Sequence, residues 1–198
     1  MYYDGEGDDT LDNDELLQEV REMGVEIGSV NDLIKINSEY KDLVPILLRY
    51  LQEADDEEDK QFIARCLGVK GFTEASEPLV LEFYKASHDS YKWAIGNTLS
   101  IIQDKDMAPV LLRIAREKEH GIARQMIVDG LGIYKKNEDV KNALIELLND
   151  DDVVGHAISA IRKMGDKELV KYVEPFLNHK TTWIRNEAKR TLKRLRKT

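Results

Sequence analysis

The feature that most constrains this chain is an apolar triplet, spaced i, i+4, i+7, that returns about every 31 residues. It reads Ile63/Leu67/Lys70, Ile95/Leu99/Ile102, Ile127/Leu131/Tyr134, Ala157/Ile161/Met164 and Ala188/Leu192/Leu195. Successive first members lie 32, 32, 30 and 31 residues apart. This spacing marks one face of a helix with 3.6 residues per turn. Only Lys70 breaks the column, and Val69 and Phe72 stand beside it. A second apolar helix precedes each triplet, carried by the pairs Leu47/Leu51, Val80/Tyr84, Leu111/Ala115, Leu144/Leu148 and Val173/Leu177. Pro45, Pro78 and Pro109 occupy matching early positions of these first helices, where a missing N–H costs little. Pro175 falls in mid-helix, which predicts a kink or break.

No strand-length alternation of apolar and polar residues interrupts the pattern. Each unit is therefore helix A, turn, helix B, turn. A pair this short cannot bury its apolar stripe alone, so the pairs must stack side by side. The predicted fold is an all-α solenoid of about five helix pairs, with units near 41–72, 76–104, 106–136, 138–165 and 167–197. Two short capping helices are expected over 13–40, opened by capping boxes at Asp12-x-x-Glu15 and Ser29-x-x-Asp32. Residues 1–12 are expected to form a disordered acidic N-terminus.

Composition sets the remaining bounds. The 198 residues suffice for one sizeable core. The acidic start lacks the apolar run of a signal peptide, and no stretch approaches the ~20 apolar residues that span a bilayer. Cys66 is the lone cysteine, which fits a reducing cytoplasm and excludes an internal disulfide. The net charge of −9 is unevenly spread: residues 1–59 hold 19 acids and 4 bases, whereas residues 179–198 hold 8 bases and only Glu187 as an acid. An acidic front repels nucleic acid and anionic membranes, so neither is the expected partner.

Stepping 100° per residue from each first anchor sorts the other helix B positions. The third residue after the anchor is small throughout: Cys66, Thr98, Gly130, Ala160 and Thr191. Two flanking columns should touch the neighbouring B helices. Offsets −2, +2 and +5 then face outward and include Arg65, Trp93, Asn97, Gln125, Asp129, Gly132, Gly155, Arg162, Arg190 and Lys193. This surface carries a net positive charge within an acidic chain and holds one tryptophan near its centre. A groove centred on Trp93, Asn97, Gln125 and Asp129, with Arg65, Arg162 and Arg190, is expected to bind an extended or acidic polypeptide. Lys92, Arg124 and Arg185 recur three residues before their anchors, at helix B N-termini, and form a possible row of anion sites. The structural alternative is that each pairs with a nearby turn carboxylate.

The period, the Ala- and Gly-rich second helices and the turns resemble HEAT repeats, in particular the short bacterial subtype called PBS-lyase HEAT-like repeats. The stretches that carry the resemblance are Ile122-Ala123-Arg124-Gln125, Asp151-Asp152-Val153-Val154-Gly155-His156-Ala157 with Met164-Gly165-Asp166, and Trp183-Ile184-Arg185-Asn186-Glu187-Ala188. The resemblance implies an interaction scaffold whose B helices line a concave surface, with another protein or peptide as partner. Some HEAT-like hydroxylases bind iron through His-Glu dipeptides, and this sequence contains none. Its four histidines, His88, His120, His156 and His179, show no metal-type spacing, so no metal and no cofactor is expected. Cys66 lies on a core-facing column and reads as a buried small residue. Two alternatives stand beside the scaffold: a nucleic-acid or anionic-surface binder using the basic C-terminal helix, and a lyase-like enzyme subunit. A monomer or weak homo-oligomer is expected.

Overall fold

The computed structural model describes residues 13–197, so the expected acidic segment at 1–12, with Asp12 of the first capping box, lies outside the described residues. Helix α1 (Asn13–Glu22) is followed by two 3-10 segments, Val30–Lys35 and Ser38–Leu43. Five helix pairs come next: α2 (Val44–Glu53) with α3 (Glu57–Cys66), α4 (Ser76–Lys85) with α5 (Asp89–Ile102), α6 (Ala108–Arg116) with α7 (Gln125–Gly130), α8 (Glu138–Leu147) with α9 (Val154–Met164), and α10 (Val170–Val173) with α11 (Thr182–Leu195). No strand occurs among the described residues. Each B helix packs on the next, α3 on α5, α5 on α7, α7 on α9 and α9 on α11, and each A helix leans on its own B helix. The result is an all-α solenoid with one continuous core.

Local chemistry sets the boundaries. Asp56 opens α3 by accepting the Glu58 N–H at 3.2 Å, and Asn137 opens α8 by accepting that of Val140 at 3.1 Å. Three A helices are entered through a short 3-10 turn whose first carboxylate or amide caps it: Asn37 accepts from Glu39, Asp104 from Asp106 and Asp166 from Glu168. The second capping segment is a 3-10 turn rather than a full helix. There Asp32 accepts from the Ser29 N–H at 3.0 Å and lies 2.8 Å from Lys35, which holds its carboxyl down at about 2. Pro175 ends α10 after one turn, and the chain continues as a 3-10 segment over Glu174–Asn178.

The apolar columns meet inside. Ile63, Leu67, Ile95, Ile127, Leu131, Ala157, Ile161, Ala188 and Leu195 are all buried, and Phe72, also buried, takes the place that Lys70 leaves. The small +3 column lets neighbouring B helices approach closely. Thr98 Oγ1 donates to the Ala64 carbonyl at 2.9 Å, and Thr191 Oγ1 repeats the contact on Ile158 at 3.1 Å. A Cβ on Gly130 would stand 2.9 Å from that of Ser100. At the N-terminal end, α1 seals the stack through Glu19, which meets the Arg49 guanidinium at 2.5 Å and accepts from the Tyr50 hydroxyl at 3.3 Å.

In three units a left-handed residue stands eight positions after the first anchor, Gly71 (φ 95°), Gln103 (φ 59°) and Gly165 (φ 77°), and the last two cap α5 and α9. A side chain costs about 1–2 kcal/mol in that region. Gln103→Gly is therefore expected to stabilise the protein by about 0.5–1 kcal/mol, after the larger unfolded-state entropy of glycine is subtracted. Thermal unfolding followed by circular dichroism should show a midpoint roughly 2 °C higher; an unchanged or lower midpoint would refute the strain.

Candidate functional site

The basic residues three positions before the anchors turn inward. Arg124 is 1% exposed: its Nε donates to Gly121 O at 3.0 Å, its Nη1 to Ala115 O at 2.9 Å, and its Nη2 lies 3.0 Å from the Asp150 carboxylate. Gly121, at φ 47°, turns the chain so that its carbonyl reaches this guanidinium. Arg185 donates from Nη1 to the His179 and Lys180 carbonyls at 2.7 and 2.9 Å. Lys92 is half-buried over the Phe83 ring, 3.4 Å from His120 Nδ1. Lys60 holds the same register in the first unit and lies 3.7 Å from the buried carboxylate of Glu82. These cations tie the end of one helix to the start of the next. Arg124 and Arg185 spend their donors on carbonyls, so the expected row does not form an open set of anion sites.

The outward columns divide. Offset +5 is a packing column: a Cβ on Gly132 would stand 2.4 Å from Ala160 O. Gly155 is also covered, because the Trp183 ring lies on it, 1.8 Å from where its Cβ would be. The helical wheel placed both glycines outward, but it treats each helix alone and ignores side chains that reach across from the next one. Asp129 is likewise buried, because Lys163 of the following helix folds back onto its carboxylate. Two glutamine amides bridge helices at equivalent positions: Gln125 donates to Asp152 O at 3.0 Å, and Gln61, in the amide orientation that satisfies its partners, donates to Ser90 O at 3.3 Å.

What remains accessible on this face is compact. Trp93 and Asn97 are half-buried, and Arg65 and Arg190 are exposed. Ile122 (52% exposed) and Trp183 (48%) also stand there, each five residues before its anchor. The register sets Ile122 opposite Trp93, as it sets Trp183 opposite Gly155. Sequence reasoning missed this position because only offsets −2, +2 and +5 were taken as outward; Ile122 stands in the 3-10 segment before α7, and Trp183 in the first turn of α11. Trp183 packs against His156, ring centroids 5.2 Å apart, and burial pushes the His156 imidazole below its ordinary value. Ile122 and Trp183 are thus exposed apolar side chains at the starts of two B-helix segments, whereas the same position holds Glu58, Ser90 and Asp152 in the other units.

The C-terminal end is different in kind. Glu187 is buried and meets Arg162 Nε at 2.8 Å and Arg190 Nη1 at 3.6 Å. Its flank faces the preceding unit, so it acts as an internal ion pair. Around it, Arg162, Arg190, Lys193, Arg194 and Lys197 line a surface hollow with no acidic side chain among them. A second hollow, lined by Gln103, Ile133, Tyr134 and Asn137 among others, sits at the turn edge and away from the Trp93 face.

Catalytic groups do not converge. Burial pushes the Cys66 thiol up to about 12, which keeps it protonated and non-nucleophilic at neutral pH. No set of three or more His, Cys, Asp or Glu residues among those described is placed to hold a metal ion. No helix among the described residues is long and apolar enough to cross a membrane.

Comparison with known proteins agrees with this geometry. The family model of HEAT repeats matches residues 44–132 and again 114–193. A crystal structure of an engineered protein is similar over 78% of this chain and 79% of that one, with a TM-score of 0.51 and 16% identity. That likeness concerns the fold alone. No curated protein matches the chain.

Two substitutions test the packing described here. Arg124→Met leaves Asp150 and two carbonyls without their buried partner, and urea denaturation should show a loss of about 3–5 kcal/mol. Gly132→Ala drives a methyl into the backbone of α9 and should cost about 1–3 kcal/mol, whereas Gly155→Ala displaces only the Trp183 ring and should chiefly alter tryptophan fluorescence. Equal destabilisation by the two glycine variants would contradict the assignment.

Proposed function

Because the chain belongs to the family of HEAT repeats, a family commonly used as protein-interaction scaffolds, we propose that it is a non-enzymatic scaffold that binds a partner polypeptide on its concave B-helix face. The observation that carries this reading is the set of half-buried Trp93 and exposed Ile122 and Trp183, with the exposed cations Arg65 and Arg190 on the same helices or their neighbours. Aromatic and arginine side chains on a largely preformed surface are the usual anchors of protein interfaces. A mostly extended segment with apolar side chains and nearby carboxylates is the matching partner. Asn97 and Gln125 lie between the apolar anchors and supply amide hydrogen bonds to its backbone, while Asp129 and Arg162, already paired within the protein, shape the floor. The lone buried Cys66 supports a reducing compartment such as the cytoplasm.

The test is co-purification of tagged protein with partners identified by mass spectrometry, comparing wild type, Trp93→Ala/Ile122→Ser and a control on the opposite face, Leu81→Ser. Truncating a central anchor typically costs 2 kcal/mol or more, about a 30-fold loss of affinity. A partner retained by the Leu81 variant and lost by the double variant, with unchanged circular dichroism, supports the reading. Retention of every partner by the double variant refutes it, and so does unfolding of that variant, because Trp93 would then be a core residue.

A further inference from the structure

We infer that the basic hollow at the C-terminal end receives the acidic N-terminal segment of a second copy of this chain, so that copies associate head to tail. This rests on the B-helix face being the binding surface; it shares Trp183 and Arg190 with that reading but lies in the last two units and does not use Trp93 or Ile122.

The hollow is built rather than incidental. Buried Glu187 holds Arg162 at 2.8 Å and Arg190 at 3.6 Å, and Arg162 Nη2 also donates to Ser159 Oγ at 3.1 Å. Lys193, Arg194 and Lys197 complete the lining, which holds no acidic side chain among the described residues. The matching charge lies at the other end of the same sequence. Residues 1–12 carry Asp4, Glu6, Asp8, Asp9 and Asp12 with no lysine or arginine, and they include the adjacent aromatics Tyr2 and Tyr3.

Spacing agrees with charge. From Trp183, near the start of α11, to Lys193 is ten residues, about 15 Å along the helix. From Tyr3 to Asp8 is five residues, about 17 Å when extended. One segment therefore sets its tyrosines against Trp183 and His156 while its carboxylates meet Arg190, Lys193 and Lys197. The same chain cannot fill its own site. Asp9 stands four residues before Asn13 and reaches at most about 14 Å from it. Helix α1 is tied to the first unit, where Glu19 meets Arg49 of α2, and α11 lies in the fifth unit, four B helices beyond α3, about 40 Å at ordinary helix spacing. The occupant must come from another molecule, and a contact between unlike ends propagates instead of closing.

Sedimentation equilibrium of the full chain tests this. At about 50 mM salt the weight-average mass should exceed 22.8 kDa and rise with concentration, and at about 0.5 M salt it should return to the monomer value. Asp8→Lys/Asp9→Lys and Arg190→Glu/Lys193→Glu should each be monomeric alone and associate when mixed, because the reversed charges match again. A fluorescent peptide of residues 1–12 should bind wild type at least tenfold more tightly than Arg190→Glu/Lys193→Glu. Trp93→Ala should leave all of this unchanged, which separates this inference from the groove reading. Monomeric wild type at every concentration, failure of the mixed variants to pair, or binding of a single-stranded oligonucleotide in place of the peptide would overturn it.

Discussion

The close approach of consecutive B helices is the constraint on which the rest of the structure depends. Each pair of helices is too short to bury its own stripe, so its stability comes from its neighbours. The approach is possible because one column of every B helix is small and because Thr98 and Thr191 convert that nearness into buried hydrogen bonds to the preceding helix. Every other device follows from it. Buried cations such as Arg124 join the A and B helices of one unit, and the Gln61 and Gln125 amides lock the starts of adjacent units. With its B helices stacked in one row, the protein presents a single long face, which is the binding surface proposed above.

That face is not uniform. Its centre is apolar and partly sheltered, with Trp93 and Ile122 across from each other. Its C-terminal end is cationic, organised by one buried carboxylate. The opposite terminus of the molecule is acidic. Burial of Glu187 between two guanidiniums costs desolvation that the ion pairs offset. A charge gradient that looked like bulk composition thus becomes a surface with distinct ends.

The fold was legible because its signal is periodic. Five triplets at a near-constant spacing specify helices that must lie side by side, and the break at Pro175 follows from a missing N–H. The face was only half legible. The wheel placed Trp93, Asn97, Arg65 and Arg190 outward; the two cations are exposed, and Trp93 and Asn97 are half-buried. It also placed Gly132, Gly155 and Asp129 outward, and these are covered by Ala160 and Lys163, Trp183, and Lys163 respectively. A single-helix projection carries no information on what the next helix lays over it. Ile122 and Trp183 escaped notice because one stands in a 3-10 segment before its helix and the other in the first turn of α11, outside the columns taken as outward. The inward cations were visible as a register, but their carbonyl partners were not, because backbone acceptors leave no mark in a sequence.

The most direct test of the stacking account is native-state hydrogen exchange on Thr98→Val, an isosteric change that deletes one hydroxyl between α3 and α5. The account predicts a local effect of about 1 kcal/mol, a several-fold faster exchange confined to α3, α5 and their A helices. Amides of α8, α9 and α11 should keep their wild-type rates. Equal acceleration along the entire chain, or none in α3 and α5, would contradict the claim that each helix owes its stability to its immediate neighbours.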